Sequence, residues 1–474
     1  MKYQKIYFFQ YTMIVYAILI ILALVAIYHY WRPRTIYDKL YFDNNSTTQP
    51  HAEVVNAVSE ASYLGNASAS YAFGAQVKVE GLKKKILEWT FPDPLKRSGY
   101  QVVITSGASE ANNLIIRGLV DSASKSGDGS KPHLVLSSVE HKTSIDCAKQ
   151  LQDLGRADVD FIEPDIYGVV DPATVMSHVR KNTVLVSVMH ANNETGALND
   201  VGSIAAMCQT GGIIFHTDAV QTFGKMRLGD LGAGAYSMSF HKMNGPVGVG
   251  ALIIRSDIAK KMHSQIAGSQ NDGLRGGTEN IAGCAGGIRT MDITLYRRAD
   301  KNARMLSMKK MFVNGLLQRF AVLPFSKFAH LTDDSALAMV KNMPTSESDI
   351  TSKHKAVVFL GPVDTGGKPD YANSLPNTVL LAVVNLPGGE TGVGDAYKRF
   401  CNVKLKSDLA ARDVLISIGS ACLTKLQGPS HVLKALAAPF IIRCGVVRVS
   451  FGDYNTEWQT RVLVDKFIET AWLQ

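Results

Sequence analysis

The segment SFHKMNGPVGVGALIIR, residues 239–255, gives the clearest indication of the fold class. In it an apolar run ends, Lys242 follows directly, and a glycine-rich turn leads into a second apolar run. Upstream, GGIIFHTDAVQT (211–222) shows a similar order, because its apolar run is followed by Asp218 and Gln221. Apolar runs that end in polar side chains are typical of buried strands whose carboxyl ends meet at a ligand site. We therefore predict an α/β sheet with a ligand site at this edge.

The same alternation extends through the body of the chain. Apolar, strand-like runs are separated by helical patterns, and this order is typical of a mostly parallel sheet. The seven predicted strands lie near residues 101, 133, 158, 183, 211, 235 and 250. The predicted helices between them cover 109–125, 143–154, 172–181 and 201–209.

Two domains are expected after the N-terminal segment. The larger one, at 36–300, contains the sheet, and its N-terminal arm at 36–55 is expected to contribute to the smaller domain. The smaller one, at 301–474, has α+β character. Within it, the polar stretch at about 329–373 is rich in Ser, Thr, Asp and Gly, which indicates a loop insertion.

The N-terminus suggests a membrane anchor. The 18 residues at 11–28 are apolar except for tyrosine and threonine, and as a helix they would span about 27 Å, close to the thickness of a bilayer core. A cleaved signal peptide is the alternative, but no small-residue cleavage site follows. We predict a single-pass anchor at 1–35, with its helix at about 8–30 and the catalytic body on the cytosolic side of the membrane.

Composition excludes several classes of protein. Hydrophobic residues make up 46% of the 474 residues and charged residues 19%, which is typical of an ordered globular chain. The net charge of +9 owes +4 to residues before 43, so the body is too weakly basic to predict nucleic-acid binding. The six cysteines form no CxxC pair, which favours a reducing compartment over a disulfide framework.

Asp218 and Lys242 together indicate a particular chemistry. A His-x-Asp metal site at His216 and Asp218 is conceivable, but no third ligand appears at a convincing spacing. The competing interpretation is that Asp218 pairs with a protonated pyridine nitrogen and Lys242 holds an aldehyde as a Schiff base, as pyridoxal phosphate requires. The segment TSGASEANN (105–113) adds a strand-to-helix turn whose N–H groups suit a phosphate.

With these residues the chain resembles the cysteine desulfurases, a pyridoxal phosphate-dependent group of the class V aminotransferase-like family. Eleven segments match in the family's order and together extend from about residue 40 to the C-terminus. They are YFDNNSTTQP, GNASASYAFG, TSGASEANN, SSVEHK, HANNETG, HTDAVQT, SFHKMNGPVGVGAL, GLRGGTEN, SLPNTV, GSAC and RVSFG. The resemblance implies a type I transferase fold, while Asn44-Asn45-Ser46 departs from the family's small-residue run.

The resemblance also implies how the cofactor is held. Lys242 would form the Schiff base, His141 would stack on the pyridine ring, Asp218 would bind the ring nitrogen, and Gln221 would bind the phenolic oxygen. The implied phosphate ligands are Ala108, Ser109, Ser239 and His241, joined by Thr278 from the other subunit of a homodimer.

For the substrate, the resemblance implies that Asn193, which also borders the cofactor, and Arg448 bind the carboxylate. Cys422 lies in the polar segment IGSACLTKLQGPSHVL, where a thiol can be mobile enough to act as the nucleophile. The implied activity converts L-cysteine to L-alanine and leaves a persulfide on Cys422 for a sulfur-acceptor protein, as in iron-sulfur cluster or thio-cofactor synthesis.

Three alternatives remain open at this point. Selenocysteine lyase and a class V transaminase share the fold, although a transaminase would not need Cys422. The alternative from another class is a membrane-tethered, inactive interaction protein for iron-sulfur assembly, which would bind no pyridoxal phosphate. The other five cysteines lack the setting of Cys422, and we expect them to be structural.

Overall fold

A computed structural model describes residues 13–23, 35–124, 130–228, 231–343, 354–387, 398–418 and 430–474. The chain divides into two compact units, Met1–Tyr41 and Phe42–Gln474. The second unit contains a seven-stranded sheet, a four-stranded sheet and the helices that cover them.

The seven-stranded sheet confirms the predicted mostly parallel α/β architecture. Its strands follow the order β2-β8-β7-β6-β5-β3-β4. Only β8 runs antiparallel to its neighbours, β2 and β7. The strands are β2 (Tyr100–Thr105), β3 (His133–Ser137), β4 (Asp158–Ile162), β5 (Thr183–Ser187), β6 (Ile214–Asp218), β7 (Ala235–Ser239) and β8 (Gly250–Arg255). Most of their residues are buried, because helices cover both faces of the sheet.

The helices around this sheet correspond to the predicted helical patterns, with shorter bounds in places. The segment predicted at 172–181 is helical only over Pro172–Ser177, where Asp171 caps the first turn through Thr174 N. The helices of this part of the chain are α2 (Ala52–Ala61), α3 (Phe73–Thr90), α4 (Pro94–Arg97), α5 (Ala108–Ala123), α6 (Lys142–Asp153), α7 (Pro172–Ser177), α8 (Val201–Thr210) and α9 (Ser256–Ala259).

A smaller sheet lies in the C-terminal third of the chain. Its order is β13-β11-β10-β9, with β11 antiparallel to both β10 and β13. The strands are β9 (Ala321–Val322), β10 (Lys355–Leu360), β11 (Thr378–Asn385) and β13 (Val446–Ser450), and β12 (Val414–Leu415) lies outside this sheet. The accompanying helices are α11 (Asp333–Lys341), α12 (Asn402–Ala411), α13 (His431–Ala435), α14 (Phe440–Arg443) and α15 (Glu457–Trp472).

One long helix joins the two sheets. Helix α10, Ile281–Leu317, contains 37 residues and begins where Asn280 accepts a hydrogen bond from Gly283 N at 2.8 Å. It packs on α2 and α3 near its start and on α15 further along. The domain boundary expected near residue 300 falls inside this continuous helix.

The stretch at 329–373 differs from the predicted loop insertion. It contains all of β10, which the strand-like run AVVFLG (356–361) predicts, and all of α11, which the sequence does not predict. Helix α11 forms because Thr332 caps it through Ser335 N and because Ala336 and Val340, four residues apart, are both buried. The polar composition of the stretch hides these apolar positions.

The N-terminal unit does not support the predicted membrane anchor. Its described part contains a helix, α1, at residues 13–23 and the short strand β1 (Leu40–Tyr41). Among the residues that the structure describes, no helix combines the length and the apolarity needed to cross a bilayer. This finding contradicts the predicted location at a membrane. Residues 8–12 and 24–30 of the expected helix lie outside the described residues.

Candidate active site

A cavity of about 350 Å³ opens at the carboxyl ends of β2, β6 and β7. Nine of the residues singled out from the sequence line it: Ala108, Ser109, His141, Asn193, Asp218, Gln221, Ser239, His241 and Lys242. The cavity is also lined by Ser106, Gly107, Asn112, Thr143, Met189, Val220, Val247 and Gly248. Residues from distant parts of the chain therefore meet in one pocket at the edge of the sheet where ligands of open α/β folds bind.

The N-terminus of α5 forms one wall of the cavity. Its N-cap, Gly107, makes no side-chain capping bond, so the first N–H groups of the helix remain available to an anion. The backbone here runs close to β8, because a Cβ atom added at Gly250 would lie only 2.7 Å from the Cα of Gly107. Ser239 and His241 line the same cavity. This set of N–H and hydroxyl donors suits a phosphate group.

Asp218 is a nearly buried carboxylate that lines the cavity. Its Oδ2 accepts a hydrogen bond from Asn112 Nδ2 at 2.9 Å, and its Oδ1 accepts one from Val220 N at 2.9 Å. The sequence had not indicated Asn112, although it lies in the quoted segment TSGASEANN. A buried carboxylate is stable when a cation faces it. Asp218 therefore provides a place for a positively charged ring nitrogen.

His141 caps α6 at the mouth of the cavity. Its Nδ1 accepts a hydrogen bond from Thr143 N at 3.3 Å and lies 2.8 Å from Thr143 Oγ1. An accepting Nδ1 leaves the proton of the neutral ring on Nε2. Although part of the ring is exposed, the surrounding protein desolvates it and lowers its pKa. The ring is thus a neutral, oriented surface beside the cavity.

Lys242 ends a single helical turn directly after β7. Its Nζ donates hydrogen bonds to Asn45 O at 2.7 Å and to Ser46 O at 2.6 Å. The pKa of Lys242 is lowered to about 8, mainly by burial and also by the charge of Arg448, while the charges of Asp43 and Asp218 act in the opposite direction. A lysine with a pKa near neutrality can supply the free amine that a nucleophile or a base needs.

The segment at 43–48 does not line the cavity but contacts three residues that do, Asn193, His241 and Lys242, and the sequence did not indicate this role. Asn45 Nδ2 donates to Asn193 O at 3.1 Å and to Thr378 Oγ1 at 2.8 Å. Thr47 Oγ1 lies 3.1 Å from His241 Nδ1. Asn45 lies in the matched segment YFDNNSTTQP, but in the sequence it stands out only as a departure from the family pattern.

Arg448 lies on β13 and joins the smaller sheet to the site. Its Nη1 donates to Asn193 O at 2.9 Å, and its Nη2 donates to Asp43 Oδ1 at 2.6 Å. Its backbone pairs with Ser417, which precedes the segment containing Cys422. Asn193 and Arg448, both predicted from the sequence, are therefore neighbours.

Three predicted residues do not line the cavity. Arg448 contacts the lining residue Asn193, but Thr278 and Cys422 are not brought to the cavity by the described chain. Thr278 is exposed and does not line it, so any role there depends on a second subunit. Cys422 lies in 419–429, outside the described residues. Its flank at Ser430 is held by a 2.8 Å hydrogen bond to Glu194 Oε2, and His431 Nε2 lies 2.8 Å from Glu140 O.

His216, which could have formed a metal site with Asp218, is instead a buried part of the sheet. Its Nδ1 lies 2.9 Å from Ser187 Oγ and its Nε2 lies 2.9 Å from Ser237 Oγ. Both ring nitrogens are therefore engaged with serine hydroxyls across three strands. Burial lowers the pKa of His216 to about 4, so the ring is neutral.

The remaining cysteines fit the expected structural role in most cases. Cys147, Cys208, Cys284 and Cys444 are buried, whereas Cys401 is exposed. Burial raises the pKa of the Cys147 and Cys208 thiols to about 11 and that of Cys284 to about 12. Thiols with such pKa values are poor nucleophiles at neutral pH.

Glu140 is a fully buried acid that the sequence did not indicate. Its Oε1 accepts hydrogen bonds from Met189 N at 2.6 Å and from Ser137 Oγ at 2.8 Å, while Oε2 has no partner among the described residues. Burial, reinforced by the charge of Asp218, raises the pKa of Glu140 to about 8. The side chain is therefore mainly protonated at neutral pH.

We expect Glu140→Gln to change how stability depends on pH. The folded pKa of about 8 exceeds the ordinary value of 4.5, so the native protein retains a proton that the unfolded chain releases between these values. Stability contributed by this group is complete below pH 4.5 and is lost as pH rises towards 8. Glutamine cannot ionise, so the variant should gain several degrees of thermal midpoint relative to wild type between pH 5 and pH 8.

Thermal unfolding of the holoenzyme, followed by circular dichroism across this pH range, measures the effect. The matched control is Glu163→Gln, which changes an exposed glutamate bonded to Ser138 Oγ at 2.8 Å and should leave the pH profile parallel to that of wild type. A parallel profile for Glu140→Gln as well would contradict the raised pKa.

Comparisons with known proteins agree with this geometry. The family described as aminotransferase class-V matches residues 40–333, more than half of the chain. Two curated relatives, both named cysteine desulfurase IscS, are each 29% identical to this chain. The protein from Dictyoglomus turgidum aligns over 90% of this chain and 93% of its own length. The protein from Pseudomonas aeruginosa aligns over 91% of this chain and 92% of its own length.

Solved structures share the fold. A NifS-like protein superposes with a TM-score of 0.70 at 24% identity, covering 91% of this chain and 98% of its own. The apo structure of cysteine desulfurase from Thermococcus onnurineus superposes with a TM-score of 0.68 at 20% identity, covering 92% of this chain and 95% of its own. Both matches therefore include the two sheets.

Proposed function

This chain belongs to the aminotransferase class-V family, and from that membership we propose that it is a pyridoxal phosphate-dependent cysteine desulfurase. It converts L-cysteine to L-alanine and retains the sulfur for transfer. The observation that carries the proposal is the single cavity where Lys242, Asp218 and His141 meet the free N-terminus of α5. The two curated relatives, which align over nine-tenths of the chain, are both named cysteine desulfurase.

The residues of the cavity fit pyridoxal phosphate. Gln221 Oε1 is buried and has no hydrogen-bond partner among the described residues, so a phenolic O–H of the cofactor would donate to it. Gln221 Nε2 donates to Asn45 O at 3.3 Å and would have to leave that oxygen to donate to the ionised phenolic oxygen. Asp218 would bind the ring nitrogen, His141 would stack on the ring, and Ala108 and Ser109 would hold the phosphate together with Ser239 and His241. When bound, the cofactor supplies an electron sink for the bond changes at the substrate.

The chain's own residues move the protons. Lys242, with its pKa lowered to about 8, would hold the cofactor covalently and, once displaced by the substrate amine, accept the proton from the substrate's α-carbon. The burial of Asp218 and its bonds to Asn112 and Val220 N hold the carboxylate where it would bind the ring nitrogen. Asn193 and Arg448 would bind the substrate carboxylate.

Cys422 would take the sulfur. Its thiolate attacks the substrate sulfur, so that an S–S bond forms while the substrate's C–S bond breaks, and the carbon is then protonated to give alanine. The persulfide left on Cys422 would pass its outer sulfur to an acceptor protein, for which iron-sulfur cluster assembly is the proposed purpose. We further propose a homodimer, in which Thr278 of each subunit would reach the phosphate bound by the other.

The test is stoichiometric turnover. The purified protein, loaded with pyridoxal phosphate and supplied with L-cysteine and a thiol reductant, should release alanine and sulfide in equal amounts. A parallel assay with L-selenocysteine separates a desulfurase from a selenocysteine lyase, which would turn over only the selenium substrate. Alanine formed only when a keto acid is added would instead indicate a transaminase and contradict the proposal.

A further inference from the structure

A carboxylate of the protein itself already binds the guanidinium that we assign to the substrate. Arg448 Nη2 donates to Asp43 Oδ1 at 2.6 Å, and the two side chains are 9% and 21% exposed. Arg448 Nε is buried and has no partner among the described residues. A charge-assisted bond of this length between largely buried groups is strong. A substrate carboxylate therefore meets a guanidinium that is already neutralised.

Arg448 is held by contacts besides its bond to Asp43. Arg448 Nη1 also donates to Asn193 O, and that carbonyl accepts a second hydrogen bond from Asn45 Nδ2 at 3.1 Å. The backbone of Arg448 is paired with Leu380 on one side and Ser417 on the other. The Asp43 side chain is more exposed than that of Arg448 and borders solvent. Arg448 would keep its position if Asp43 moved away.

We propose that Asp43 is an internal competitor for the substrate carboxylate: it pairs with Arg448 in the free enzyme, and the incoming carboxylate displaces it. This inference rests on the proposed function, because it takes Arg448 as the residue that binds the carboxylate. Two carboxylates cannot share one guanidinium closely without mutual repulsion. The competition makes Asp43 a specificity-determining residue that sets the affinity of the site for monocarboxylates.

The exchange preserves the charge around the reactive amine. In the free enzyme, Arg448 lowers the pKa of Lys242 and Asp43 raises it, so the two influences oppose each other. When a substrate carboxylate replaces Asp43 as the partner of Arg448, the guanidinium still faces one negative charge. The field at Lys242 therefore changes less than it would if a carboxylate bound an unpaired arginine.

The experiment measures binding of propionate, a carboxylate that lacks the amine needed to react with the cofactor. Isothermal titration of the holoenzyme should give about tenfold tighter binding for Asp43→Asn than for wild type, since the anion no longer displaces a charged hydrogen-bond partner. Arg448→Gln should lose measurable binding. The matched control is Asp160→Asn, which breaks the 2.7 Å ion pair between Asp160 and Arg180. Asp160 lies on the edge strand β4, and its side chain is 24% exposed, similar to that of Asp43. This variant should bind propionate as wild type does.

The direction of the change separates competition from damage, because a disturbed site does not bind more tightly. Circular dichroism checks the fold of each variant, and Asp43→Ser, which also removes the charge, should show the same tightening. KM for L-cysteine should fall in both variants while kcat stays within about twofold, as expected for a change in ground-state binding. Unchanged or weaker propionate binding in both neutral variants would overturn the competition.

A wrong assignment of Arg448 would give a different set of binding results from a wrong competition proposal. If Arg448→Gln binds propionate as wild type does, Arg448 does not bind the carboxylate, and the proposed competition by Asp43 is wrong as well. If Asp43→Asn binds propionate more tightly and Arg448→Gln does not bind it, the competition stands even for a protein that releases no sulfide from L-cysteine. Binding of propionate and production of sulfide thus test the two claims separately.

Discussion

Lys242→Ala should lose both the long-wavelength absorbance of the bound cofactor and turnover of L-cysteine, which should fall about a thousandfold or more as expected for loss of a catalytic acid–base group. Alanine offers no amine to hold the aldehyde or to accept the α-proton. The lowered pKa of about 8 makes Lys242 suited to both tasks near neutral pH. Borohydride reduction of the wild-type holoenzyme, followed by peptide mapping, should mark the peptide that contains Lys242.

The matched control is Lys142→Ala. Lys142 is exposed at the start of α6, next to His141, so its removal changes the charge near the cavity without removing the reactive amine. This variant should retain the absorbance and most of the turnover. A normal cofactor spectrum in Lys242→Ala, or a marked peptide that lacks position 242, would show that another lysine carries the cofactor.

Cys422→Ser should keep the cofactor spectrum and lose sulfide release. A serine hydroxyl is a much weaker nucleophile towards sulfur than a thiolate, so we expect a loss on the order of a thousandfold. The variant should still bind L-cysteine, which a change in the cofactor spectrum on mixing would report. Mass spectrometry of wild type after a single turnover should find one extra sulfur on the peptide that contains Cys422.

Cys401→Ser is the appropriate comparison, because Cys401 is an exposed thiol of the same chain. It should leave sulfide release and the spectrum unchanged. The buried thiols are poorer comparisons, since replacing Cys284, whose pKa burial raises to about 12, would also disturb the core. Sulfide release by Cys422→Ser at the wild-type rate would exclude Cys422 as the acceptor of sulfur.

Much of the site could be predicted because its residues lie in short segments next to strand ends. Asp218 is the last residue of β6, and Lys242 follows β7 by three residues. Since β6 and β7 are parallel neighbours, their carboxyl ends meet at one edge of the sheet. That relation, together with the strand-to-helix turn before α5, predicted Asp218, Lys242 and the donors for a phosphate, whereas His141, Gln221 and Asn193 came from the family resemblance.

Other features could not be predicted in this way. The apolar stretch at 11–28 indicated a membrane span because hydropathy was the only property that the sequence offered, yet no helix among the described residues is long and apolar enough to cross a bilayer. The polar stretch at 329–373 hid α11, whose two core contacts are spaced four residues apart among polar neighbours. Buried groups such as Glu140 had no local signal, because burial depends on what the rest of the chain places around a side chain.

By itself, the sequence determined the alternation of strands and helices, the placement of Lys242 and Asp218 at strand ends, and the donors that suit a phosphate. These features depend on neighbouring residues along the chain. Only the tertiary structure decided that Asp43 pairs with Arg448, 405 residues away, and that Asn45 supports Asn193, 148 residues away. The physical reason is that charge pairing and desolvation act over a few ångströms in space, and only the packing of the two sheets and the N-terminal arm at 42–48 brings these groups within that distance.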